Sequence, residues 1–190
     1  MISKRILKNL KQLNSTALQC YLGTGIHTLG LLGWILEQTG RADVYVSTFS
    51  TSEEFLNGFL NLRKKGLIRR AVMVADLKAS KKTVKLNQLM SYCFDAAYLG
   101  MNHSKIVLVQ TEAGQTVSVA TSQNNTYGGR AECTIISTSQ EIFLSLYKGL
   151  KNIIDNSCEL NGIYRRAIEN DRKVSASADS GDSDWVPFGY

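Results

Sequence analysis

His103 and Lys105 stand two residues apart at the head of an apolar run, and Ser122, Asn124 and Glu132 follow later in the chain. One imidazole, one ammonium, one hydroxyl, one amide and one carboxylate lack the makings of a metal cluster, and they suit a phosphate. Lys and Asn donate hydrogen bonds to phosphate oxygens, and His attacks phosphorus or moves a proton. Residues 106–109 are apolar and rich in β-branched side chains, as in a buried strand. Side chains on a strand alternate, which puts His103 and Lys105 on one face. Residues 112–115 are turn-like and 116–121 form a second β-rich run, so the segment 102–125 reads as a hairpin. A hairpin returns the chain and carries Ser122 and Asn124 to the end that holds His103.

The order His103-Ser104-Lys105, strand, turn, strand, Ser122-Gln123-Asn124 and Glu132 resembles the signature of the phospholipase D superfamily, and the resemblance extends over roughly residues 41–155. Two positions depart from that pattern: Gln110 stands in place of an Asp and Thr121 in place of a Gly. The hairpin is also a few residues longer. The resemblance implies an α/β fold, a phospholipase D-like mixed β-sheet flanked by helices on both faces. It implies His103 as a nucleophile that forms a phosphohistidine, with the His of a second motif protonating the leaving oxygen. Lys105 and Asn124 then stabilise charge on the transferring phosphoryl group, Ser122 donates a further hydrogen bond, and Glu132 holds a His in its productive tautomer. No metal and no cofactor are implied. The chain carries one motif, so a second copy related by a two-fold axis is expected, a homodimer as in the small Nuc-like endonucleases of the superfamily. Gln keeps hydrogen-bonding capacity but lacks charge, and Gln110→Asp is therefore expected to raise activity. Each residue also has a purely structural reading: His103 caps a strand, Lys105 pairs with an acid, Asn124 closes a turn.

The chain has 190 residues, 44% of them hydrophobic, and a single Pro, which fits one domain over residues 1–172. Residues 173–190 change to Ser, Ala, Asp and Gly and read as a disordered tail that ends in an acidic and aromatic cluster. The formal net charge is +6, but residues 174–190 hold three Asp and no Lys or Arg, leaving 22 basic and 13 acidic residues in the remainder. That balance favours a polyanion as partner, nucleic acid first. The candidate face carries Arg63, Lys64, Lys65, Lys81, Lys82 and Lys85, and binding there is expected to weaken with salt. The tail's Asp179, Asp182 and Asp184 before Trp185 and Phe188 look like the C-terminal docking peptide of bacterial single-stranded-DNA-binding proteins. It is read as a docking ligand for a protein partner, as a competitor for the chain's own basic cleft, or as a packing element against a neighbouring subunit. Four scattered Cys and two His leave no zinc pattern. The most apolar run, 26–36, is about half of what a bilayer needs, and no segment reads as a signal peptide. No membrane contact and a cytoplasmic location are expected.

The periodicity predicts an amphipathic helix over 2–13, a short strand over 17–22, a helix over 28–39 stopped by Gly40, a strand over 43–49, and a helix capped by Ser52 and stopped by Gly66. A strand over 67–75, a helix over 78–90, a strand over 92–98, a strand over 133–137 and a helix over 139–155 follow, with 158–170 extending or repeating that helix. Strand, helix and strand across 43–75 imply parallel pairing. Gly23-Thr24-Gly25 and Gly30 superficially resemble a dinucleotide loop, but the full fingerprint is absent. His27 is a candidate second imidazole, with a helix-start or packing role favoured. Four functions stay open at this level: a phosphodiesterase acting on nucleic acid, a nucleic-acid-binding module that has lost turnover, a phospholipid-processing enzyme, and a structural or partner-binding protein.

Overall fold

The structure is a computed structural model that describes residues 4–126 and 128–160, with the side chains of 4, 5, 7 and 82–84 outside the description. The tail at 173–190 lies outside the described residues.

Eight strands form one mixed sheet. They are β1 (Leu18–Gly23), β2 (Ala42–Thr48), β3 (Ile68–Asp76), β4 (Ala96–Gly100), β5 (Ile106–Thr111), β6 (Thr116–Thr121), β7 (Glu132–Ser137) and β8 (Cys158–Glu159). Their order across the sheet is β1-β7-β6-β5-β2-β3-β4-β8. β2, β3 and β4 run parallel, and every other neighbouring pair is antiparallel. β2 is buried along its whole length, as its central place between β5 and β3 requires.

Helices cover both faces. α1 (Lys4–Asn9), α2 (Thr28–Thr39), α3 (Glu53–Lys64) and α5 (Asn87–Cys93) lie over one face, joined by the short α4 (Ser80–Lys85). Ile6, Trp34, Phe55, Phe59 and Met90 meet Val44, Val46 and Met73 of the sheet in that core. α6 (Gln140–Asp155) covers the other face, with Phe143 and Leu150 against Tyr45, Val72, Val74 and Leu108. Ser52 caps α3 by accepting from the Phe55 amide, and Ser139 caps α6 by accepting from Ile142. Gly66, at φ 75, turns the chain from α3 into β3, a conformation that costs an L side chain strain.

Four elements differ from the sequence reading. Residues 78–90 are not one helix: a 3-10 turn (Leu77–Ala79) leads into α4, and α5 continues to Cys93, so the strand expected from Tyr92 starts at Ala96. Asp95 causes the late start, since its carboxylate accepts from the Ala71 amide and from Arg63. Cys158–Glu159 extends no helix and pairs with β4 as the sheet's edge. Ile142, placed on the buried stripe of α6, is 42% exposed, because the sheet lies under Phe143 one residue on.

Arg63 holds the far end of the molecule together. Its Nη2 lies 2.5 Å and its Nη1 3.0 Å from the two Asp95 oxygens, and Nη1 also donates to the Cys93 carbonyl. The Arg63 hydrogen bonds lower the Asp95 pKa below the usual carboxylate range, against a smaller opposing push from burial. A depressed folded-state pKa gives stability that is present above the unfolded carboxylate pKa and is lost as pH falls through the folded value. Urea melts of the wild type are therefore expected to lose stability below about pH 4, and Asp95→Asn to flatten that acid limb.

Candidate functional site

β2 and β3 end, and β5 begins, at one edge of the sheet, because β5 runs antiparallel to β2 with Ser47 opposite Ile106. The 101–105 loop that joins β4 to β5 lies at that edge and carries His103 and Lys105. Both sit just before the strand, and Ile106 is the first strand residue. Asn102 makes this loop rigid. It is 3% exposed, and its Nδ2 donates to the Thr48 and Val74 carbonyls at 3.2 and 3.3 Å. Its Oδ1 accepts from Ser47 Oγ, the Ser104 amide and Ser104 Oγ, and its own amide donates to Asp76 Oδ2. One side chain thus ties the ends of β2 and β3 to the loop on either side of His103.

The His103 ring is exposed and lies against Phe49, with centroids 5.2 Å apart and planes at 60°. It makes no hydrogen bond among the described residues. Lys105 Nζ donates to the His103 carbonyl at 3.1 Å, so the ammonium folds back toward its neighbour. The second half of the motif arrives through the hairpin: Ile106 pairs with Ala120, and the Thr121 amide donates to the Lys105 carbonyl at 2.9 Å. Ser122 Oγ donates to a Glu132 carboxylate oxygen and accepts from the Cys133 amide. Asn125 is bonded through its backbone to Ser50 and Ser52, next to Phe49, which fixes Asn124 beside the same loop.

The five predicted residues therefore reach one end of the sheet. Ser122 and Glu132 contact each other directly, and Lys105 contacts the backbone of His103. No hydrogen bond joins Asn124's side chain to either, and its buried Oδ1 has no partner among the described residues. Glu132 accepts from Ser122, and no His of the described chain contacts it.

The two departures from the motif have structural explanations. Thr121 adopts no positive φ, and its hydroxyl accepts from the Gln123 amide and donates to the Cys133 carbonyl, so it shapes the Ser122 turn that a Gly shapes elsewhere. Gln110 pairs with Asp43 at the opposite end of β5, about 17 Å from Lys105 at strand rise. It does not face the site. Gln110→Asp puts a second carboxylate opposite Asp43, which already shares Arg69 with Glu112. The expected gain in activity is thus replaced by a small loss of stability.

The candidate basic face divides in two. α3 runs back along β2, so Arg63, Lys64 and Lys65 lie at the far end, with Arg63 committed to Asp95. Lys81 and Lys85 are exposed on the segment that leaves β3 at the His103 end, and Lys82 has its side chain outside the described ones. Sequence reasoning passed over Lys78 and Arg130 as site cations. Both are exposed, Lys78 two residues after Asp76 and Arg130 two residues before Glu132. Only the topology identifies which end a cation occupies.

No protein-family model matches the chain, and no curated protein matches it. Solved structures do match in fold. Nuc, a phospholipase D family member from Salmonella typhimurium, aligns with a TM-score of 0.55 at 13% identity over 75% of this chain and 97% of Nuc. NucT from Helicobacter pylori aligns with a TM-score of 0.56 at 12% identity over 74% of this chain and 98% of NucT. TrmBL2, an archaeal chromatin protein with a novel mode of DNA binding, aligns with a TM-score of 0.51 at 5% identity over 82% of this chain and 59% of TrmBL2. The chain has the phospholipase D fold, the α/β sheet that its motif implied. Among the described residues no helix is long and apolar enough to cross a membrane.

Proposed function

We propose that the chain is a metal-independent phosphodiesterase acting on nucleic acid, with His103 as nucleophile in a site shared by two copies. The observation that carries this reading is an exposed imidazole, free of hydrogen bonds among the described residues, on a loop that a buried Asn holds rigid. Lys105, Asn124 and the Ser122–Glu132 pair share that end of the sheet with it. His103 attacks phosphorus, the P–N bond forms, and the P–O bond to the leaving alkoxide breaks. Lys105 and Asn124 offset charge on the phosphoryl oxygens, and Ser122 orients the Asn124 turn. His103 of a second copy gives its proton to the leaving oxygen. Water then attacks phosphorus and gives a proton to His103 of the second copy; the P–O bond forms, the P–N bond breaks, and both imidazoles return to their starting states. Leu18, Leu22 and Ile135 are 61, 77 and 44% exposed on one face of β1 and β7 that continues to Cys133, next to Glu132, and a second copy seated there covers this face beside the site.

Cleavage of DNA or RNA in the presence of EDTA, together with a dimer in sedimentation at micromolar concentration, is the test. A chain that binds nucleic acid without cleaving it is instead a binding module. That second reading is favoured by Glu132's engagement with Ser122, which leaves no second imidazole paired to it in one chain. It also fits the fold shared with TrmBL2, itself a DNA-binding protein. In both readings the domain spans residues 1–172, and the acidic tail docks on a partner protein or competes with nucleic acid; deleting residues 174–190 raises low-salt affinity only in the second case.

The cations at the His103 end make the contact. Lys78→Glu with Lys81→Glu is expected to weaken nucleic-acid binding at low salt by tenfold or more and to flatten its salt dependence. Lys64→Glu with Lys65→Glu, at the far end, is expected to change affinity about threefold or less. Fluorescence anisotropy across a salt series separates the two pairs.

A further inference from the structure

We infer that a cleft between the head of α2 and the 123–126 loop holds a second phosphate of the polynucleotide, the neighbour of the one that His103 faces. The inference rests on the phosphodiesterase reading of that end of the sheet and adds a subsite to it. His27, Thr28, Gln123, Asn124 and Asn125 line the cleft. Gln123, the middle residue of the Ser-x-Asn motif, is 6% exposed and clamps α2 to the motif loop. Its Oε1 accepts from the Thr28 amide at 2.8 Å and from Thr28 Oγ1 at 3.1 Å. A backbone N–H only donates, so this end of the amide is oxygen and the other end is nitrogen. Gln123 Nε2 then lies 3.2 Å from His27 Nδ1, with the amide nitrogen as donor and the ring nitrogen as acceptor.

His27 is the N-cap of α2 in extended conformation, it makes no side-chain cap, and no acidic residue occupies the first turn of the helix. The helix therefore presents its positive end here. A second observation calls for a ligand. Asn125 is 3% exposed and lines the cleft, and its Nδ2 has no partner among the described residues. A buried donor without an acceptor is costly, and a phosphate oxygen supplies one. The cleft also holds a buried acceptor without a partner among the described residues, Asn124 Oδ1, so the preference for an anion comes from the helix N-terminus and from Asn125 Nδ2. The cleft adjoins the reacting centre and shares Asn124 with it. The Asn125 amide donates to the Ser50 carbonyl, and Ser50 follows Phe49, whose ring lies against His103.

The chain holds two His, so protein labelled with 15N-histidine gives two sets of ring signals, assigned with His27→Ala. Titration with inorganic phosphate is expected to move both sets, and the His27 set is expected to move in His103→Ala as well. His27→Ala, and independently Asn125→Asp, are expected to lower about tenfold the preference for a single-stranded oligonucleotide over a dinucleoside monophosphate, which has only one phosphate to place. Melting curves check that both variants remain folded. Signals that move for His103 alone overturn the inference and leave the phosphodiesterase reading standing. An unchanged preference alongside a moving His27 signal marks a free-anion site and overturns the assignment to polynucleotide. If neither set moves and the wild type cleaves nothing, the subsite and the reading beneath it both fail.

Discussion

His103→Ala is expected to lower phosphodiester hydrolysis by about 10³-fold or more while leaving the melting temperature within about 2 °C of wild type. The two halves of that result have separate causes. The ring is exposed and its single described contact is with Phe49, so removing it opens no cavity and leaves no buried donor or acceptor unmet. The loop is held by Asn102 on one side and by the start of β5 on the other, neither of which uses the imidazole. Chemistry, by contrast, loses its nucleophile. The substituted chain should still bind nucleic acid with near-normal salt dependence, because Lys78, Lys81 and Lys105 remain. Added imidazole should restore a fraction of the lost rate by occupying the vacated space. In the wild type an acid-labile phosphoryl adduct should form on rapid quenching and be absent from the variant. Residual activity within tenfold of wild type would exclude His103 as nucleophile.

Asn102→Ala has the largest expected effect on stability, about 3–4 kcal/mol, or about 10 °C in melting temperature for a chain of this size. The amide joins two parallel strand ends to a loop where no backbone ladder does so. Truncation leaves the Thr48 and Val74 carbonyls without their donor and Ser47 and Ser104 without their acceptor, all at a buried or half-buried place. Ser47 and Ser104 still contact each other at 2.5 Å, which limits the loss. Asn102→Asp is expected to be worse at neutral pH, since a carboxylate oxygen then faces two carbonyls with Asp76 close by, and to recover as the pH falls and that oxygen gains a proton. Both variants should also lose turnover, because the His103 loop is no longer fixed. The split between the two effects is measurable: Asn102→Ala melts early and cleaves slowly, whereas His103→Ala cleaves slowly and melts normally.

The sequence by itself determined the elements whose signals are local. The 28–39 helix matches α2 and the 116–121 run matches β6, because their periodicities span the whole element and Gly40 and Thr121 bound them. The Ser52 cap and the acidic first turn of α3 were legible for the same reason. The chemical inventory was legible as well: no other stretch combines a His, a Lys, an Asn and a Glu at a hairpin's spacing.

Tertiary structure alone decided which residues share an end of the sheet. Lys105 just before β5 and Gln110 within it lie five residues apart, yet the first lies at the site and the second at the far end. Arg63 to Lys65 and Lys81 to Lys85 look alike in sequence, yet α3 carries the first group away from His103 and β3 returns the chain with the second. Asn102 reads as a turn residue until its amide is seen buried between two strand ends, and Gln123 reads as a spacer until it closes on Thr28 across half the chain. Cys158–Glu159 has no strand signal of its own and becomes one because β4 offers an open edge. The physical reason is common to all of these. Periodicity and caps act over one or two turns of chain, whereas the register of a mixed sheet and the direction of each crossover are set by burial between segments far apart in sequence. Those long-range choices are what bring His103, Lys105, Ser122, Asn124 and Glu132 to one edge.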